Sequence, residues 1–84
     1  MPKLPLLKSR ELLDFLKYLG FTVTSQRGSH IRLKSPAGQR TTVPFHSSND
    51  IPRGTLMSVI HDLGITKEEF LKQYAMYKKE RKKI

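Results

Sequence analysis

The sequence predicts an α+β domain in which helices pack on one face of a three-stranded antiparallel sheet. Apolar residues recur at helical spacing near both ends of the chain, whereas the segment between them alternates polar and apolar residues with a period of two. The predicted element order is α-β-β-β-α-α. A chain of 84 residues has room for one such domain.

The first helix is predicted from Arg10 to Leu19. Ser9 is a suitable N-cap, and Glu11 places a carboxylate in the first turn, where the helix dipole stabilises it. Gly20 follows at a position that favours a left-handed conformation, which ends the helix. The apolar stripe consists of Leu12, Leu13, Phe15, Leu16 and Leu19.

Three short strands are predicted to form an antiparallel meander. Phe21 to Thr24 forms the first strand, His30 to Lys34 the second, and Arg40 to Val43 the third, which ends at Pro44. Turns are predicted at residues 27–29 and 35–38. In the second strand Ile31 and Leu33 face the core, so His30, Arg32 and Lys34 share the opposite face.

Two helices complete the fold. Pro52 marks the start of the second helix, whose stripe runs from Leu56 to Leu63 and ends at Gly64. The segment Thr66 to Glu69 is a capping box that opens a third helix. Its apolar side consists of Phe70, Leu71, Tyr74 and Tyr77.

Charge and composition restrict the partners. Sixteen Lys and Arg against seven Asp and Glu give a net charge of +9, which attracts polyanions such as RNA. The absence of cysteine excludes disulfides and thiolate chemistry. No apolar run is long enough for a membrane helix and no export signal is evident, so we expect no membrane association and a cytoplasmic location. Residues 78–83 carry +4, and we expect them to be a solvated, frayed end.

The segment Gly28, Ser29 and His30 is the first candidate site. Gly28 permits close approach to a ligand, Ser29 can bind phosphate, and an imidazole can move protons near neutral pH. Arg32 and Lys34, on the same strand face, and Arg27 beside the turn can hold a phosphate and stabilise charge. The alternative is a plain hairpin turn with a polar strand face, and the residue types alone favour it.

Other candidates also have two interpretations. His46, after the third strand, can flank the same cleft and bind phosphate, or it can be a solvated loop residue. His61 fits a surface or partly buried helix residue better than a catalyst, and the spacing of the three histidines fits no metal site. Gly54 at a helix start fits helix initiation better than phosphate binding. Tyr74 and Tyr77 fit helix packing better than base stacking.

The ordered set of motifs resembles the HicA family of bacterial toxins. The motifs are Leu19-Gly20-Phe21, Gly28-Ser29-His30, Val43-Pro44-Phe45-His46, Gly54-Thr55-Leu56 and Glu69-Phe70-Leu71. The resemblance covers residues from about Leu7 to Leu71. It implies a fold like that of double-stranded-RNA-binding domains, metal-independent cleavage of mRNA that blocks translation, and a HicB-like antitoxin that masks the site. The family's catalytic histidine falls on His30.

These expectations define a domain of residues 1–74 with ribonuclease activity, followed by a basic extension of residues 75–84. His30 is the expected catalytic residue, no metal or small-molecule cofactor is expected, and mRNA and the antitoxin are the expected partners. The expected RNA-binding residues are Arg27, Gly28, Ser29, Arg32, Lys34 and His46. A noncatalytic double-stranded-RNA-binding module and a protein-interaction domain whose basic face meets an acidic antitoxin remain as alternatives.

Overall fold

The computed structural model describes residues 4–45 and 50–81 and has the predicted α-β-β-β-α-α order. No helix or strand predicted from the sequence is missing from this part of the chain. The elements are α1 (Ser9–Tyr18), β1 (Thr22–Arg27), β2 (His30–Lys34), β3 (Arg40–Pro44), α2 (Arg53–Leu63) and α3 (Lys67–Arg81).

The sheet has the strand order β1-β2-β3, and both neighbouring pairs are antiparallel. Ile31 lies opposite Val43 and Leu33 opposite Thr41, so these residues form one face of the sheet. All four are buried, because α1 and α2 pack over this face next to β3. The α+β class and the one-sided helix layer predicted from the sequence are therefore confirmed.

An aromatic cluster joins α1 to α3. The ring of Phe15 is completely buried and meets Phe70 and Tyr74 edge-on, with centroids 5.4 and 5.2 Å apart. Tyr77 also packs against Phe15, at 5.4 Å. Tyr74 and Tyr77 thus have the packing role that their spacing favoured. Burial, followed by the nearby Glu11 carboxylate, raises the pKa of Tyr74. The folded state therefore favours the neutral phenol, so the free energy of unfolding is unaffected by this group below pH 10 and falls as the pH rises above 10.

The end of α3 differs from the expected frayed tail. The helix continues through Arg81, and the Tyr18 hydroxyl donates a 2.7 Å hydrogen bond to the Glu80 carboxylate. This hydrogen bond, more than burial, raises the pKa of Tyr18. Residues 75–81 are therefore ordered against α1, because the apolar side of α3 extends to Tyr77.

The beginning of α1 also differs by one residue from the prediction. Lys8, not Ser9, is the N-cap, and its backbone N–H donates to the Glu11 carboxylate at 3.0 Å. The Ser9 hydroxyl instead donates to the carbonyl of Pro44 at 2.7 Å, which ties the start of α1 to the end of β3. A capping residue shifts when its hydroxyl finds a tertiary acceptor, and sequence patterns do not register this competition.

Candidate functional site

The face of the sheet away from the helices carries three rows of side chains that run across the strands. Each row takes one residue from each strand, and the register fixes which residues are neighbours. We name each row after its residue on β2. Arg27, His30 and Pro44 form the His30 row; Ser25, Arg32 and Thr42 form the Arg32 row; Thr22, Lys34 and Arg40 form the Lys34 row.

The three rows are strongly cationic. Residues 22–45 include Arg27, Arg32, Lys34 and Arg40 but no aspartate or glutamate. All four cations are exposed. In the described ranges, the ion pairs join Lys8 to Asp50 and Arg10 to Asp14, so no described carboxylate forms an ion pair with any of the four sheet cations. Such a face attracts polyanions at long range.

His30 is accessible on this face, as the strand alternation predicted. It begins β2 directly opposite Arg27, and its other neighbour across the sheet is Pro44. Its side chain is exposed, and among the described residues it has no hydrogen-bond partner. Both ring nitrogens are therefore available to a ligand, with a guanidinium on the neighbouring strand.

Backbone hydrogen bonds fix the strands that carry the His30 row, although the side chains of Arg27 and His30 are exposed. Two residues, Gly28 and Ser29, connect Arg27 to His30. The Ser29 carbonyl accepts a hydrogen bond from the Phe45 backbone N–H, and the Pro44 carbonyl accepts one from the Ser9 hydroxyl. The β1–β2 hairpin, β3 and the start of α1 thus converge at this end of the sheet.

Gly28 has the conformation that its place in the turn requires. Its φ is +59°, while no non-glycine residue in the described part of the chain has a positive φ. A positive φ at the first loop residue alone is typical of a type II′ hairpin turn, which matches the twist of the strands. The predicted turn is therefore confirmed at Gly28 and Ser29, whereas Arg27, which was predicted to belong to the turn, is the last residue of β1. Phosphate binding by Gly28 and Ser29 stays a prediction.

We expect Gly28→Ala to destabilise the domain by about 1 kcal/mol, because an alanine at this φ is strained. Space is not the cause, since nothing lies within 4 Å of a Cβ added there. Gly54→Ala is the matched control: it also meets no atom within 4 Å, but it lies in α2 without a positive φ and is expected to stabilise by about 0.5 kcal/mol. Urea denaturation of both variants measures the two effects, and equal shifts would contradict the turn assignment.

A depression of about 510 Å³ lies on the same sheet face, next to the Arg32 and Lys34 rows. Arg32, Lys34 and Arg40 line it together with Thr24, Ser25 and Thr42. Sequence reasoning missed Arg40 as a site residue. The available signal was the short turn at residues 35–38, which brings Arg40 back beside Lys34.

The remaining candidates are separated from this face. His46 lies outside the described residues. His61 is exposed on α2, in the helix layer on the other side of the sheet from His30. Gly54 lies in the first turn of α2, which fits helix initiation. No three histidine, aspartate or glutamate side chains cluster as metal ligands within residues 4–45 and 50–81.

A family model described as the HicA toxin of bacterial toxin–antitoxin systems matches residues 9–65, which include α1, the whole sheet and α2. The chain belongs to the HicA toxin family. Membership of the HicA toxin family implies an antitoxin partner. A comparison with curated protein sequences gives no significant match. Among the described helices, none is both long and apolar enough to span a membrane.

Proposed function

We propose that this HicA protein is an mRNA endoribonuclease that blocks translation, that His30 is its catalytic residue, and that a HicB-like antitoxin inhibits it by covering the His30 row. The observation that carries the proposal is the exposed imidazole of His30 on a sheet face that has four cations and no carboxylate. The family assignment and the resemblance described above supply the reaction class.

The reaction is a transesterification within one RNA strand. His30 accepts the proton of a ribose 2′-OH, and the 2′ oxygen forms a bond to the adjacent phosphorus. The bond from phosphorus to the 5′ oxygen breaks, and that oxygen takes a proton from the imidazolium or from water. The products are a 2′,3′-cyclic phosphate and a 5′-hydroxyl.

Arg27 is placed to stabilise the charge that develops on the phosphate. It lies directly opposite His30, and opposite residues in antiparallel strands have Cβ atoms about 5 Å apart. A cation aimed at the developing charge contributes more in the transition state than in the ground state. One acid–base group contributes about 10²–10⁴-fold to a rate. A single histidine therefore predicts slow turnover.

Labelled RNA incubated with the purified protein in EDTA tests the proposal. Fragments that end in a 2′,3′-cyclic phosphate are expected, and addition of the antitoxin is expected to suppress them. RNA that binds but stays intact under these conditions would instead support a noncatalytic RNA-binding module. A protein that binds the antitoxin but no RNA would be an interaction domain only.

We expect Arg32→Ala to weaken the salt dependence of RNA binding. Arg32 is the central cation of the sheet face and has no carboxylate partner in the described part of the chain. Loss of one phosphate contact lowers the slope of log K against log salt by about 0.7 for a single strand. Titrations at several salt concentrations measure this slope. Lys17→Ala, which removes one charge from an exposed position on α1, is the control, and a slope unchanged by Arg32→Ala would place the RNA elsewhere.

A further inference from the structure

We propose that Lys34 and Arg40 form a second phosphate-binding subsite, and that the substrate is an extended single RNA strand lying along β2 with its cleaved bond at His30. The inference rests on the proposed ribonuclease function and extends it, since it assigns a role to Arg40 and a conformation to the substrate.

Lys34 and Arg40 are like charges at directly opposite positions of an antiparallel pair. Such a pair is destabilising. Their third row member, Thr22, is neutral, and the described residues provide no carboxylate that pairs with either cation. The repulsion therefore persists in the free protein, and a bound phosphate group relieves it.

The depression beside these side chains has the chemistry of a phosphate site. Arg32, Lys34 and Arg40 supply the charge. The Ser25 and Thr42 hydroxyls add donors, and in the described structure neither is engaged with a protein acceptor. The Thr24 hydroxyl, in contrast, already donates to the Arg32 carbonyl at 3.4 Å.

The geometry of β2 favours a single strand. Side chains two residues apart on one face are separated by about 6.6 Å, so the Lys34 row lies about 13 Å from the His30 row. Successive phosphates of an extended nucleotide strand are spaced on the order of this 6.6 Å step between neighbouring rows. The RNA backbone can therefore contact His30, Arg32 and Lys34 in turn.

The three rows contain no phenylalanine, tyrosine or tryptophan. Aromatic side chains on which splayed bases could stack are therefore absent from these rows. Contacts to the phosphate backbone remain, and these carry no sequence information directly. We accordingly expect the subsite to tolerate different bases.

The test uses a single-stranded oligoribonucleotide with 2′-O-methyl groups, which cannot be cleaved by 2′-OH attack, and the same sequence as a duplex. Wild-type protein is expected to bind the single strand more tightly. The double variant Lys34→Gln/Arg40→Gln should bind it about tenfold more weakly at low salt, with a salt slope lowered by about 0.7–1.4. The control Lys17→Gln/Lys72→Gln removes the same charge from exposed positions on α1 and α3 and should change binding little.

A second measurement places the subsite along the RNA. Single neutral methylphosphonates are introduced in turn, and the one two nucleotides from the cleaved bond should weaken binding to wild type but not to the Lys34→Gln/Arg40→Gln variant. The melting temperature of that variant at low salt should equal or exceed that of wild type, because a repulsive pair has been removed.

Several outcomes would overturn the inference: equal loss of affinity in the two double variants, tighter binding of the duplex, or a fall in the melting temperature of Lys34→Gln/Arg40→Gln. These results are distinguishable from failure of the proposed function. If wild type binds RNA tightly but does not cleave it, only the proposed ribonuclease activity is contradicted. If wild type cleaves RNA and the Lys34→Gln/Arg40→Gln variant binds it as tightly as wild type, only the proposed subsite is contradicted.

Discussion

Replacement of His30 by alanine is expected to abolish RNA cleavage and cellular toxicity while the domain stays folded. The side chain is exposed and makes no hydrogen bond to a described residue, so its loss should change the free energy of unfolding by about 0.5 kcal/mol or less. Binding should largely survive because the four Arg and Lys side chains of the sheet remain. Cleavage should be lost, because the three rows contain no other histidine or carboxylate that can accept the 2′-OH proton.

The measurements are the initial rate of RNA cleavage, the affinity for uncleavable RNA and the urea denaturation midpoint. His61→Ala is the matched control, since it also removes an exposed imidazole but from α2, on the other side of the sheet. It should cleave at the wild-type rate. His46→Ala is expected to give a partial defect, because the sequence suggests that His46 is at most a supporting group. Wild-type cleavage by His30→Ala would refute the mechanism, and an unfolded variant would make His30 structural.

The site could be predicted from sequence to the extent that it depends on the alternation in β2. Ile31 and Leu33 are 5% and 1% exposed, while His30 and Lys34 point to the open face, as a period of two requires. The helix ends were also readable, because Gly20 and Gly64 have positive φ angles at the ends of α1 and α2. These features are local, and local patterns encode them directly.

Features that depend on pairing between distant residues could not be read in this way. The β1 strand was predicted to alternate, yet all of it is exposed and its register shifts between Val23 and Ser25. It is one of the two edge strands of the sheet, and α1 and α2 pack next to the other edge strand, β3. The short turn at residues 35–38 indicates that Arg40 returns near Lys34, but the register was needed to place the two residues directly opposite each other.

The two faces of β2 have different roles. The apolar residues of one face are part of the buried core, and the other face carries cations that no described carboxylate pairs with. Natural proteins commonly accept such local destabilisation where function requires it. The buried core as a whole, of which the aromatic cluster between α1 and α3 is one part, must therefore offset the repulsion on the sheet.

Phe15→Ala is expected to have the largest effect on stability. Phe15 is completely buried and contacts Phe70, Tyr74 and Tyr77, so its truncation leaves a cavity and should destabilise the domain by about 3–5 kcal/mol. For a domain of this size that loss approaches the whole free energy of unfolding, about 5 kcal/mol or somewhat more. Met76→Ala, at an apolar position 54% exposed on α3, is the control and should lose at most about 0.5 kcal/mol.

Urea denaturation and cleavage assays at two temperatures separate the stability defect of Phe15→Ala from a catalytic defect. Because Phe15→Ala acts by depleting the folded population, cooling below its melting midpoint should restore cleavage, whereas no temperature should restore cleavage to His30→Ala. If Phe15→Ala stays fully folded but loses RNA binding, the aromatic cluster is a base-stacking surface and not the core.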